Sequence, residues 1–209
     1  MVVQNDRERP KGYIDRAINM LFDRRRYASY DYDIDILEIG CMRARLIHHP
    51  DILDYECCND GHSTFLFART GWRVVSVDIN QDHVDAAKQS CADFSNVKHI
   101  CMDAIEFARG LISSNPKQKI GLLFLDAWDL DLIDSAQSHL DFYEVVKPAL
   151  NNDCMILIDD TDLYYDFDKK EFFYSNIPMV GKGRLLIPEL CKNGYEIVFH
   201  GRQTLLMKE

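Results

Sequence analysis

The segment KIGLLFLDA, residues 119–127, is apolar almost without interruption and constrains the fold more than any other stretch. A run of this kind reads as a strand buried on both faces, the mark of a central position in a parallel sheet. CMILIDD, residues 154–160, is a second such strand, and DSAQSHLDFYEVVKPAL between them reads as the helix that returns the chain. Parallel neighbours need crossovers of this type. The same alternation runs through the earlier sequence. In YIDRAINMLFDRRRY the apolar positions Ile14, Ala17, Ile18, Leu21 and Phe22 follow helical spacing, which makes residues 1–33 a helical N-terminal segment. DIDILEIG is a strand ending at Gly40, STFLFAR a short helix closed by Gly71, and WRVVSVDIN a Val-rich strand ending at Asp78. QDHVDAAKQSCADF and AIEFARGLISS read as helices on either side of the strand NVKHICMD. RLLIPELCKNG then gives a helix stopped by Gly194, and YEIVFHG with RQTLLMK gives two strands joined by a Gly-Arg turn. Five strands alternating with helices and ending in a hairpin predict a doubly wound α/β fold, with a mostly parallel sheet and a C-terminal antiparallel hairpin. No linker, repeat or low-complexity tract interrupts it, so residues 1–209 are expected to form a single domain.

The charge balance narrows the partners. There are 34 acidic against 24 Lys and Arg residues, a formal net charge of −10, so the average field of the chain repels nucleic acid. The one dense basic run, Arg24-Arg25-Arg26, lies close to Asp31, Asp33 and Asp35 and reads as a solvated helix end. No stretch has the ~18 consecutive apolar residues of a membrane span, and MVVQNDRERPKG is too polar for a secretory signal. A cytoplasmic protein with no membrane partner is expected. The seven cysteines are odd in number and scattered, which argues against a disulfide framework.

In a doubly wound sheet the ligand lies beyond the carboxyl ends of the strands. Here every one of the five strands carries an acid at that end: Glu38 just before Gly40, Asp78, Asp103, Asp126 and the pair Asp159-Asp160. A single Asp at a strand end is ordinary turn chemistry. Acids at all five tips gather like charges on one rim, which calls for cations or hydroxyl-rich ligands. A carboxylate at the end of the second strand suits the two hydroxyls of a ribose. The Gly-x-Gly-x-x-Gly cradle of a pyrophosphate is missing, since only Gly40 and Gly61 flank the first loop. A ligand with a nucleoside but no phosphate is therefore favoured.

The succession LEIGC, GHSTFLFAR, GWRVVSVDIN, MDA, LLFLDA, FYEVVKPAL and ILIDD, over roughly residues 34–162, resembles the class I S-adenosylmethionine-dependent methyltransferases. It is most similar to their catechol and caffeoyl-CoA O-methyltransferase-like branch, whose members are mostly metal-dependent. The resemblance implies a Rossmann-like methyltransferase fold, S-adenosylmethionine as cofactor and transfer to a small hydroxylated acceptor. It further implies that Glu38, Gly40, Gly61, His62, Ser63, Asp78, Ile79, Asp103, Ala104 and Asp126 line the cofactor site. Asp126, Asp159 and Asp160 match a metal-ligand set. Asp160 stands where the branch usually has Asn, and three oxygen donors suit Mg²⁺, Mn²⁺ or Ca²⁺.

Two departures from that family pattern leave alternatives open. Between Gly40 and Gly61 the chain carries an insertion, roughly residues 43–59, that would form a lid or substrate wall or would disturb cofactor binding. The branch's usual Lys base is replaced by Asp129, so Asp129 and His139 are both candidates for the base. One alternative reading is thus metal-independent O- or N-methylation, and another is a catalytically silent partner protein. His48, His49, Cys57, Cys58 and Cys41 lack the paired spacing of a zinc site and read as packing and surface residues. Cys91, Cys101, Cys154 and Cys191 read as core packing. Trp128 is expected to wall the acceptor pocket. The aromatic residues from Tyr164 to Tyr174 form either a substrate flap or a patch for self-association.

Overall fold

The computed structural model describes residues 13–28, 32–45, 62–115, 118–175 and 179–208. In chain order its elements are α1 (Tyr13–Ala28), β1 (Ile34–Ile39), α2 (Ser63–Ala68), β2 (Val74–Asp78), α3 (Gln81–Ser90), β3 (Val97–Cys101), α4 (Ala104–Ser114) and β4 (Ile120–Leu125). There follow α5 (Ser135–Val146), β5 (Leu150–Ile158), β6 (Leu163–Asp166), β7 (Glu171–Tyr174), α6 (Leu186–Lys192), β8 (Glu196–Phe199) and β9 (Thr204–Met207). Seven strands form one sheet in the order β3-β2-β1-β4-β5-β9-β8. β1 to β5 are mutually parallel, while β9 runs antiparallel to β5 and pairs with β8. This is the expected architecture, with the C-terminal hairpin extending the main sheet.

The two apolar runs behave as their composition demands. Every residue of β4 is buried, as are residues 154–158 of β5 and all of β1, and successive side chains go to opposite faces. Leu37, Leu123 and Ile156 pack with α4, α5 and α6 through Ala108, Phe142, Val146 and Leu190. Ile36, Leu122 and Leu157 pack on the other face with Ala17 and Leu21 of α1 and Phe67 of α2. Both faces are thus covered, which is why these strands are apolar without alternation.

Several sequence expectations change. The basic run is more than a solvated helix end: Arg24 donates to the carbonyl of Lys208 at 2.8 Å, and Arg25 pairs with the buried Asp35. α1 is tied to the sheet by these contacts. Cys91 and Cys154 are buried, but Cys101 and Cys191 are exposed, because each falls at the end of its element. The segment after Asp160 forms a separate two-stranded hairpin, β6 with β7, in which Tyr164 stacks on Phe173 and Phe172 packs on Tyr165. Phe172 and Tyr174 remain exposed on it. His48, His49, Cys57, Cys58 and most of the 43–59 insertion lie outside the described residues, as does Gly61. Among the described residues no helix is long and apolar enough to cross a membrane.

Candidate functional site

The strand order reverses between β1 and β4, and the ends of these two strands carry a cavity of about 250 Å³. The chain leaves β1 towards β2 on one side and reaches β4 on the other, so the crossovers diverge and leave a crevice there. Ladder contacts hold the tips in line: Gly40 N–H donates to Val77 O at 2.9 Å, Asp126 N–H to Ile39 O at 2.8 Å and Asp159 N–H to Leu125 O at 3.0 Å. Gly40 has φ +86°, and a Cβ built on it would lie 2.6 Å from the backbone of Asp126. Only glycine combines that conformation with such an approach.

Of the expected site residues, Gly40, Asp78, Ile79, Asp103, Ala104, Asp126, Trp128 and Asp129 all line the cavity. Asp78 Oδ2 accepts from Cys41 N–H at 3.1 Å and Oδ1 from Asn80 N–H at 2.8 Å, with His83 Nδ1 at 3.4 Å from Oδ1. The two amides thus take one acceptor position on each oxygen, and the His83 ring shares Oδ1. Asp103 caps α4 by accepting from Glu106 N–H at 3.0 Å. Ile79 and Met102 form an exposed apolar rim above it.

Glu38, His62 and Ser63 do not line this cavity. Glu38 is completely buried and accepts from Ser63 Oγ at 2.6 Å and Ser76 Oγ at 2.5 Å, a brace that joins β1, α2 and β2 beneath the site. Burial pushes its carboxyl up to about 7, against the lowering effect of the two serine hydrogen bonds. His62 is buried at the start of α2.

On the β4 side, Trp128 takes a left-handed backbone conformation, φ 50°, fixed by Ser135 Oγ donating to its carbonyl at 2.6 Å. Its ring rests edge-on against His139, with centroids 5.0 Å apart. His139 is fully buried and lies behind the indole, not on the cavity wall. Burial, with Lys182 adding to it, pushes the imidazole down to about 3, so it is neutral at pH 7. Asp129 does face the cavity, where Arg43 holds both of its oxygens, one of them at 3.1 Å.

Asp126, Asp159 and Asp160 are brought together as the resemblance implies, each with an oxygen within 4.8 Å of the others. What lies among them is a residue that sequence reasoning missed. Lys182 Nζ is 2.6 Å from Asp126 Oδ1 and 3.2 Å from Asp160 Oδ2, and it also donates to the Asp126 carbonyl at 3.2 Å. Arg202 donates to the other oxygen of Asp160 at 2.7 Å. Burial works against the Lys182 ammonium, but the surrounding carboxylates outweigh it and hold its pKa above the ordinary lysine range. Burial raises Asp126 while Lys182 pulls it down, and burial with two acidic neighbours drives Asp159 well above the carboxylate range. Lys182 stands between Gly181 and Gly183, 22 residues beyond Asp160, and that flanking pair was its only sequence signal.

No protein-family model matches the chain, and no curated protein matches it. Among solved structures it is similar to an O-methyltransferase from Bacillus cereus in complex with SAH, at 16% identity and TM-score 0.50, with 99% of this chain and 95% of that one covered. It is also similar to the calicheamicin methyltransferase CalS11, at 12% identity and TM-score 0.52, covering 93% and 76%. A hypothetical protein of Thermus thermophilus matches at 11% identity and TM-score 0.53, covering 100% and 92%. At these identities the likeness is one of fold. The chain has the Rossmann-like methyltransferase fold, with its cavity at the switch point of the sheet.

Proposed function

We propose that the chain is an S-adenosylmethionine-dependent methyltransferase acting on a small hydroxylated acceptor. The observation that carries this reading is Asp78: a carboxylate at the tip of β2, fixed by two backbone amides and lining the cavity. That is the position from which a ribose is gripped, and the sequence carries no Gly-x-Gly-x-x-Gly phosphate cradle. The cofactor's sulfonium is cationic, and Asp78 and Asp103 give the cavity wall the opposite sign, while Asp126 and Asp129 are balanced by Lys182 and Arg43. Methyl transfer is an in-line displacement in which the protein chiefly aligns the acceptor oxygen with the methyl group. Trp128, locked by Ser135 and His139, offers a rigid apolar wall for that alignment.

Two groups were candidates for the base. Asp129 is the one that faces the cavity, with both of its oxygens held by Arg43. His139 serves better as a neutral support for the indole. As for a resident divalent ion, the donors have the right chemistry but the Lys182 ammonium lies among them, so the residues present do not fit one. The metal-independent form of the reaction is therefore the one the geometry supports.

Calorimetric titration of S-adenosylmethionine tests the reading, followed by release of S-adenosylhomocysteine with hydroxylated acceptors. Asp78→Ala should weaken cofactor binding by about 1–3 kcal/mol, the worth of hydrogen bonds to a charged group. That is roughly fivefold to 150-fold in Kd. A wild-type chain that takes up no cofactor sinks the proposal and points to a silent partner protein.

A further inference from the structure

We infer that Lys182 is a built-in cation that takes the place of a divalent metal among Asp126, Asp159 and Asp160. The cluster is thereby closed to metal and serves to fix Asp126 on the cavity wall. The inference rests on the methyltransferase reading for its consequence, but its geometry stands apart from it.

An ammonium has three N–H donors and no acceptor. Two are committed here, to the Asp126 carboxylate and the Asp126 carbonyl, and the charge is also paired with the Asp160 carboxylate at 3.2 Å. Lys182 is only 1% exposed. The path that brings it there is built in as well. A Cβ on Gly181 would lie 1.7 Å from the Asp160 carbonyl oxygen, so the chain can pass flat over the end of β5 only with glycine at that position. Lys182 N–H then reaches the same carbonyl at 3.3 Å.

Two fixed cations already stand where a metal would. Lys182 pairs with Asp126 and Asp160, and Arg202 pairs with the other oxygen of Asp160. A divalent ion needs several oxygens at about 2.0–2.6 Å. Binding it would mean expelling the ammonium from its three partners and leaving that charge buried and unpaired, which is strongly unfavourable. Lys182 is thus a positioning residue: it acts on the cavity through Asp126, whose carbonyl and carboxylate it holds at once.

The test is a titration of the full-length chain with Mn²⁺, read by the electron paramagnetic resonance signal of free metal. The wild type should leave that signal undiminished up to roughly millimolar Mn²⁺, the weak end of carboxylate sites. Lys182→Ala should gain a Mn²⁺ site at least about tenfold tighter than any wild-type binding, and adding Asp159→Asn should abolish it. Micromolar Mn²⁺ binding by the wild type that disappears in Asp126→Asn overturns the inference, as does a folded Lys182→Ala chain that gains no site. The wild-type titration decides even where the variant folds poorly. Cofactor calorimetry on the same wild-type sample separates the two readings. A chain that binds both cofactor and Mn²⁺ overturns only this inference. One that binds neither overturns the functional reading and supports this one.

Discussion

Replacing Gly40 by alanine is expected to lower the stability of the folded chain by about 3 kcal/mol and to abolish cofactor binding in whatever fraction still folds. Two costs combine. The left-handed conformation at φ +86° disfavours any Cβ, by about 1–2 kcal/mol for an L-residue. The new methyl would also collide with backbone, not with a side chain that can swing away: the Asp126 carbonyl carbon and oxygen are both 2.6 Å distant, and Ala127 N is 2.7 Å. Relief requires moving β1 away from β4 at their carboxyl ends, which is where the cavity lies. Urea denaturation measures the first effect and calorimetry the second. Gly110→Ala is a suitable control, since that glycine sits in α4 with nothing within 4 Å of a built Cβ. It should gain up to about 1 kcal/mol from helix propensity. A Gly40→Ala chain as stable as this control would show that the β1–β4 approach is not a constraint.

The same contact shows how far the sequence could be read. β4 and β5 announced themselves because burial on both faces leaves no polar alternation, and the acids at the strand ends followed from the direction of a parallel sheet. What a strand end does to its neighbour is set by distances across the sheet, which no local pattern encodes. Asp126, Asp159 and Asp160 could be placed on one rim from the sequence. Their partner Lys182 could not, because it arrives from an irregular stretch with no periodicity and is held by contacts 56 and 22 residues back along the chain. Asp129 was legible as an acid near the site, while its clamp by Arg43 lies 86 residues away. The β6–β7 hairpin was missed for another reason: its aromatic residues stand side by side, as Tyr164-Tyr165 and Phe172-Phe173-Tyr174, so the run carries no clean alternation. Glu38 was read as part of the cofactor wall, because position at a strand end does not tell which face a side chain takes. The structure turns it inward, onto two serine hydroxyls.

That inward turn carries the other large prediction, a dependence of stability on pH. The Glu38 carboxyl titrates near 4.5 when unfolded and is pushed up to about 7 by burial in the folded chain. Between those values the folded chain keeps the proton that the unfolded chain releases, so stability contributed by this group is fully present below about pH 4.5. It falls as pH rises and is lost above about pH 7. At about 1.4 kcal/mol per pH unit the loss amounts to roughly 3 kcal/mol. Glu38→Gln imitates the protonated form, keeps a partner for each serine and cannot titrate. The variant should therefore match the wild type within about 1 kcal/mol at pH 5 and exceed it by roughly 3 kcal/mol at pH 8. Urea denaturation of both proteins at the two pH values measures this. Other buried acids, Asp159 among them, bend both curves alike, so the informative quantity is the difference between the proteins at each pH. A difference that stays constant from pH 5 to pH 8 would mean that Glu38 is ionised throughout, its charge carried by the serine hydroxyls in spite of complete burial.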